Sequence, residues 1–456
     1  LSKHEKFNFN NLDALKNKAK ELGVSIPLSE DLSVLRQPIQ INGKTCQNRL
    51  AILPMEGCDS ELDGSPSELV YRRYKRFFSG GSGLIWWEAN AVVEEGRANE
   101  LQMMLTAQNK DAFKHLLETS LEAGKQVNGA DYRPLSILQL THSGRYSRPH
   151  GHKALPIITQ HDPILDPRSG IKPEDPVASD EYLDSLVEAY VQSALLAKEV
   201  GFDGVDIKSC HRYLISELLA SHTREGRYGG SFENRSRLLL NIIREVREAT
   251  GPDFILACRF NVFDAHPFPY GFGVDQQDFW NFDPTEPMKL VKAMIAEGVG
   301  LLSNSAGNPY YIYPQVTRPF DLSSDGIPVP EEHPLVSIER LFGFTEQIQK
   351  AAGDVPVVGN GYSWLRHFLP YAGAANISRG RCSLVGIGRN SFAYPDAPRE
   401  ILLKGTMDKS KCCIACSKCT QIMRDHGTTG CVIKDAKLYA PLYAKFHNEA
   451  QARAKA

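Results

Sequence analysis

The sequence carries no excess of either charge: 52 Lys and Arg stand against 54 Asp and Glu over 456 residues, a formal net charge of -2. No basic field is left over to attract a nucleic acid or an anionic membrane surface. Long apolar runs are also missing. Nothing approaches the roughly 20 residues that span a bilayer, and the first residues, LSKHEKFNFNN, are polar and charged rather than signal-like. Cysteine is sparse for a disulfide scaffold, ten in the whole chain and unevenly spread. These absences leave an expected cytoplasmic chain with no nucleic-acid or membrane partner, long enough for at least one large core.

What is present is a repeat of short apolar runs and longer amphipathic ones. Leu12, Leu15, Ala19 and Leu22 share a helical face that Gly23 can stop, and Asn42-Gly43 between two short runs signals a hairpin. Strands are then expected at 49–54, 84–87, 135–139, 203–207, 254–259, 300–303, 355–358 and 383–387. Helices are expected between them: one opened by a capping box at Ser65-Pro66-Ser67-Glu68 and ended by Gly80-Gly81, then 111–123, 180–200, 234–249, 287–296, 337–351 and 364–371. Two Pro-rich excursions, 145–178 and 308–334, interrupt the alternation. Eight such units favour an α/β fold of the closed TIM (β/α)8 type over an open doubly wound sheet. The expected division is an N-terminal helical extension at 1–37, the barrel at 38–405, and a small C-terminal cysteine-bearing segment with its tail at 406–456.

In a closed barrel, chemistry gathers where the strands end. The fourth strand runs into Lys208, His211 and Tyr213, three proton-carrying side chains in six residues. After the seventh comes Gly359-Asn360-Gly361, and after the eighth Gly386-Ile387-Gly388-Arg389. Backbone N–H groups in such turns can approach an oxyanion closely, so a phosphate-bearing cofactor is expected there. Glu88, Gln139 and Arg259 add polar groups at other strand ends, where each is equally suited to tying the rim together. Arg259 could stabilise the negative charge of a reduced flavin. Aromatic loops at 265–273 and 308–313 could stack on a flat substrate or merely pack.

Five of the ten cysteines fall within KCCIACSKCTQIMRDHGTTGC at 411–431. Cys413, Cys416 and Cys419 are spaced C-x2-C-x2-C, with Cys431 further on, a pattern suited to a cubane [4Fe-4S] cluster. Structural zinc is the alternative, and Cys412 competes with Cys413 as first ligand.

Five stretches carry a resemblance: NRLAILPM at 48–55, LQLTHSGR at 138–145, GFDGVDIKSCHRYL at 201–214, RYGGSFENRSR at 227–237 and VGIGR at 385–389. Together they resemble the old yellow enzyme family, in its branch of 2,4-dienoyl-CoA reductase and trimethylamine dehydrogenase, from about residue 38 to 431. The resemblance implies an FMN-binding TIM barrel. It sets Pro54, Met55, Glu88, Gln139, Arg259, Gly359, Asn360, Gly361, Gly388 and Arg389 at or beside the flavin and its phosphate, and it favours iron over zinc at the four cysteines. Family ene-reductases hold the substrate oxygen with two side chains three residues apart and protonate with a nearby Tyr. Here those positions are Lys208, His211 and Tyr213, with Arg212 where a Gly is usual.

Two added cations at the mouth fit an anionic acceptor. The alternative has Lys208 paired with Asp206 or Glu217 and Arg212 in solvent. The expected activity is reduction of an activated C=C bond of a small unsaturated substrate. Residues 437–456 hold no glycine-rich dinucleotide fingerprint. An external electron donor is therefore expected, whether a reductase, ferredoxin, flavodoxin or electron-transferring flavoprotein, and a homo-oligomer is compatible. Two rivals stand beside this reading: an amine dehydrogenase or demethylase passing electrons out through the cluster, and an electron-transfer subunit without its own substrate.

Overall fold

A computed structural model of the protein describes residues 4–311 and 316–455. The N-terminal helix Leu12–Glu21 starts where Asn11 accepts a hydrogen bond from the Ala14 amide at 2.9 Å, and it buries Leu15 and Ala19. Asn42 and Gly43, both at positive φ (48° and 77°), turn β1 (Ile39–Ile41) back onto β2 (Lys44–Cys46) as an antiparallel hairpin.

Eight parallel strands then close on themselves: β3 (Leu50–Ile52), β4 (Leu84–Ala91), β5 (Leu135–Thr141), β6 (Gly204–Ile207), β7 (Ile255–Phe263), β8 (Leu301–Ala306), β9 (Val357–Gly359) and β10 (Leu384–Ile387), with β10 pairing β3 to complete the ring. Both faces of these strands are covered, which is why they read as unbroken apolar runs. Ala51, Leu84, Trp86, Ile137, Ala257, Val358 and Leu384 are among the side chains filling the interior, while the opposite strand faces pack on the surrounding helices. The closed α/β barrel expected from the strand count is the observed fold.

Two local expectations are corrected, and one helix is added. The first barrel helix is capped by Ser67, not Ser65, and spans Glu68–Ser79, because Pro66 holds the preceding residue extended. A continuous helix over 364–371 does not form. Pro370 cannot donate to the carbonyl of Arg366, so a 3-10 segment, Tyr362–Phe368, breaks at Arg366 (φ 52°) before the helix Leu369–Ser378 begins with Pro370 in its first turn. A short buried helix, Leu214–Leu219, follows the fourth barrel strand, too brief to declare a period.

The cysteine segment lies against the barrel and is pinned to it. Arg73 donates to both oxygens of Asp59, at 2.9 and 2.8 Å, and to Glu88 at 2.8 Å. Asp59 also accepts from the Thr428 hydroxyl at 2.8 Å and the Thr429 amide at 3.2 Å. The helices Lys418–Arg424 and Ala436–Lys455 flank that contact. Among the described residues no helix is long and apolar enough to cross a membrane.

Candidate active site

A cavity of about 170 Å³ opens at the C-terminal ends of the strands. Pro54, Met55 and Glu56 enter it after β3, His211 after β6, Arg259 from β7, Pro309, Tyr310 and Arg318 after β8, Asn360 and Gly361 after β9, and Gly388 and Arg389 after β10. Cys419, Met423 and Arg424 close it from the cysteine segment. Residues distant in sequence thus meet over one strand rim, as a parallel barrel requires.

Four guanidiniums face this space, and what they reach is neutral. Arg259 donates to the Pro54 carbonyl at 3.4 Å, Arg389 to the Pro319 carbonyl, and Arg424 to the Ser324 hydroxyl at 2.8 Å and the Pro309 carbonyl. Buried atoms are left over: Arg259 Nε, Arg318 Nε, Arg389 Nη1, Arg424 Nε and Asn360 Oδ1 have no hydrogen-bond partner among the described residues. Burial, and then the charges of Arg389 and Arg424, pull Arg318 down to about 9. Orphaned buried donors crowded by like charge are expensive unless an anion meets them. At Gly388 an added Cβ would meet Met55 Sδ at 3.6 Å and nothing closer, and Gly361 sits at φ 90°, so backbone and space are both open for a phosphate. The set is suited to FMN: Gly361, Gly388 and Arg389 could receive its phosphate, and Arg259 its ring.

The other expected cofactor contacts lie back from the cavity. Gln139 donates to Asp206 at 2.6 Å, and Asp206 also accepts from Trp86 at 2.9 Å and the Arg259 amide at 2.8 Å. Burial pushes the Asp206 carboxyl up to about 6 against those bonds. Glu88 is committed to Arg73, and Gly359 looks toward the Tyr362 hydroxyl.

At the end of β6 the backbone turns sharply. His211 and Arg212 both adopt positive φ, 65° and 61°, a conformation costly for residues with a Cβ. The His211 amide donates to Asn261 at 3.0 Å, and its Nε2 lies 2.8 Å from the Ser305 hydroxyl. Burial first, then Arg259, Lys208 and Arg318, hold this imidazole neutral by pulling it well below its ordinary range. Arg212 is turned away from the cavity and out of solvent alike. It is 1 % exposed and donates to Asp264 at 2.8 Å, with Asp162 at 3.5 Å.

Lys208 meets neither Asp206 nor Glu217. Its Nζ lies 3.9 Å from Glu56 Oε2 and 3.9 Å from the centroid of the Tyr213 ring. Tyr213 in turn sits 2.7 and 2.6 Å from the two Glu56 oxygens and 2.7 Å from the Tyr310 hydroxyl. Glu56, Arg318 and Arg424 are not singled out by the sequence, whereas Tyr310 lies in the aromatic loop 308–313 expected either to stack on a substrate or to pack. Only Glu56, directly after Pro54-Met55, had a position that could have flagged it. Of the aromatic loops, Tyr310 reaches the cavity, His266 in the other pairs with Asp162 at 2.7 Å, and residues 312 and 313 lie outside the described residues.

Next to this cavity is a second, smaller one lined by Cys413, Cys416, Cys419 and Cys431 together with Arg389 and Phe392. Cys412 is not on its wall; its Sγ points to the Asp408 carbonyl at 3.4 Å. Among the described residues no three His, Cys, Asp or Glu side chains converge on a point that a single ion could occupy.

A closed barrel with glycine-walled, arginine-rich space over its strand ends is the setting of an enzyme that binds a phosphate-bearing group. The sequence profile of the NADH:flavin oxidoreductase / NADH oxidase family matches residues 34–276, more than half of the chain, and the protein belongs to that family. It is 27 % identical over 383 residues to an NADH oxidase of Thermoanaerobacter brockii, covering 83 % of this chain and 52 % of that protein. It is 24 % identical over 432 residues to a cinnamate reductase of Clostridium sporogenes, covering 90 % and 58 %. The chain therefore spans little more than half the length of these relatives. A 2-naphthoyl-CoA reductase shares the fold with a TM-score of 0.69 at 21 % identity, over 88 % of this chain and 57 % of that one.

Proposed function

We propose that this protein is an FMN-dependent ene-reductase acting on a conjugated, anionic small molecule, with electrons arriving through a [4Fe-4S] cluster from an external redox partner. The carrying observation is the cavity wall, in which four guanidiniums stand without a carboxylate partner among the described residues. One FMN phosphate offsets about two of those charges. The relative named for cinnamate, a conjugated carboxylate, supports the same substrate class.

FMN, when bound, supplies hydride transfer to the substrate carbon. The chain's own part is to bind, orient and protonate. Gly361, Gly388 and Arg389 would hold the phosphate, and Arg259 the ring. Neutral His211 is suited to donate a hydrogen bond to the acceptor's oxygen as charge develops there. In this reading Lys208 acts one layer back, as counterion to Glu56, and Arg212 fixes the turn that aims His211.

Cys413, Cys416, Cys419 and Cys431 would hold the cluster. A lone zinc needs four ligands at about 2.3 Å from one centre. The four sulfurs line one small cavity, and their C-x2-C-x2-C spacing with a distant fourth suits a cubane, where each binds a different iron.

One observation favours a second reading, oxidation of an amine. Glu56 and Tyr310 form a carboxylate-and-aromatic stretch of the wall that could receive an ammonium group. Anaerobic mixing separates the two. Reduced protein should regain the oxidised flavin spectrum with cinnamate or a similar enoate, and oxidised protein should ignore amines. The opposite pair of results would establish amine oxidation in its place, and a colourless protein holding stoichiometric zinc would remove the cluster.

A further inference from the structure

Between the cavity and Lys208 runs a chain of three oxygens. Tyr310 and Glu56 line the cavity, whereas Tyr213, 1 % exposed, lies behind them and touches both. On the ene-reductase reading above, the structure assigns Tyr310 as the hydroxyl that gives the proton to the reacting carbon, with Tyr213 as relay and Glu56 as the proton store.

A phenol has one proton to donate, so the three groups can be ordered in only two senses. With Glu56 ionised, Tyr213 donates to Glu56 and Tyr310 donates to Tyr213, and no hydroxyl proton faces the substrate. With Glu56 protonated the chain reverses: Glu56 donates to Tyr213, Tyr213 to Tyr310, and the Tyr310 proton is free to point into the cavity.

Transfer then balances. A C–H bond forms at the substrate carbon as the Tyr310 O–H breaks, the Tyr213 proton passes to Tyr310, and the Glu56 proton passes to Tyr213. The net loss is one proton from Glu56. The electron pair reaching the neighbouring carbon is the one the proposed reduction already delivers.

Direct donation by Tyr213 alone would be harder. It would leave a buried phenolate against a carboxylate, and burial followed by the charge of Glu56 holds both phenols above their ordinary range. In the relay no phenolate remains. The negative charge ends on Glu56, where Lys208 Nζ, 3.9 Å away, receives it. Tyr146 stacks on Tyr310 at 4.3 Å between centroids, and Arg424 lies 5.7 Å from the same ring, fixing its plane. The Glu56 side chain, 14 % exposed, can regain a proton from cavity water.

The test uses dithionite-reduced holoenzyme and two oxidants, cinnamate, which must be protonated at carbon, and ferricyanide, which takes electrons alone. Tyr310→Phe and Glu56→Gln should each slow reoxidation by cinnamate by about 10²–10⁴-fold, the span of general acid catalysis, and leave the ferricyanide rate unchanged. Glu56→Asp should restore part of the loss. A tyrosinate absorbance titration gives a readout without turnover: Glu56→Gln should lower the titration of two buried tyrosines together, and Tyr213→Phe should uncouple Tyr310 from Glu56. Normal cinnamate rates in Tyr310→Phe, with loss confined to Tyr213→Phe, would overturn the assignment. If wild-type protein ignores every enoate, the reductase reading falls by itself. The titration then decides the relay, which an unchanged curve in Glu56→Gln would refute.

Discussion

Replacing Arg73 by Met tests whether the cysteine segment is held to the barrel by a buried charge pair. The guanidinium is 4 % exposed, and its two carboxylate partners, Asp59 and Glu88, are 3 % and 2 % exposed. Met keeps the stem and removes four charge-assisted bonds, three to carboxylate oxygens and one to the Thr429 carbonyl at 3.2 Å, leaving two carboxylates buried and uncompensated. Breaking a buried pair in this way costs about 3–5 kcal/mol. Burial already pushes Glu88 above its ordinary value of 4.5, with Arg73 pulling it back and Asp59 adding to the rise. Without Arg73 the Glu88 carboxyl should bind its proton more tightly in the folded protein than in the unfolded chain. The folded state then carries the extra proton, so stability falls as pH climbs above about 4.5. The deficit against wild type should be smallest near about pH 5 and largest near about pH 8. Denaturant midpoints by circular dichroism, on samples matched for flavin content, would measure it. Adding Glu88→Gln should recover part of the loss, because the two changes share one network. A deficit below about 1 kcal/mol, or one flat across that pH range, would refute the latch.

Three further outcomes are expected. Cys412→Ser should leave iron and acid-labile sulfide content unchanged, while Cys413→Ser should lower both, since only Cys413 is on the wall of the sulfur-lined cavity; equal losses would contradict that placement. Arg389→Leu should weaken FMN retention by roughly ten- to a hundredfold, the worth of one charge-assisted hydrogen bond, read by flavin fluorescence after dilution. Gly57→Ala would set a Cβ 1.5 Å from Glu88 Oε2, so its melting point should fall by more than a surface substitution's, with Glu88→Ala on the same chain relieving the clash.

The barrel was legible because each parallel strand is covered on both faces and so announces itself as a bounded apolar run. The two glycine turns were legible as parts of the rim from their place after the last two strands, and Asn360, Gly361 and Gly388 do line the cavity. Side-chain direction was not. Nothing in the string SCHRYL says that His211 and Arg212 both enter the left-handed region, yet that pair of dihedrals sends Arg212 into Asp264 and away from the mouth. Arg424 was hidden for a different reason. It sits on a short helix of the cysteine segment, and only docking through Asp59 and Thr429 brings it over a strand rim formed hundreds of residues earlier. Glu56 follows two residues that the sequence did single out, but Lys208 and Tyr213, which it meets, and Tyr310, which Tyr213 meets, come from two other strand ends, a meeting that no local pattern encodes.

Arg389, Phe392 and Cys419 each face both cavities. The two chambers are rooms with a common wall, so remodelling either one disturbs its neighbour. On the function proposed above, a lineage that discarded its cluster would also have to rebuild the enclosure around its flavin nucleotide, which would tie the inheritance of the two halves together.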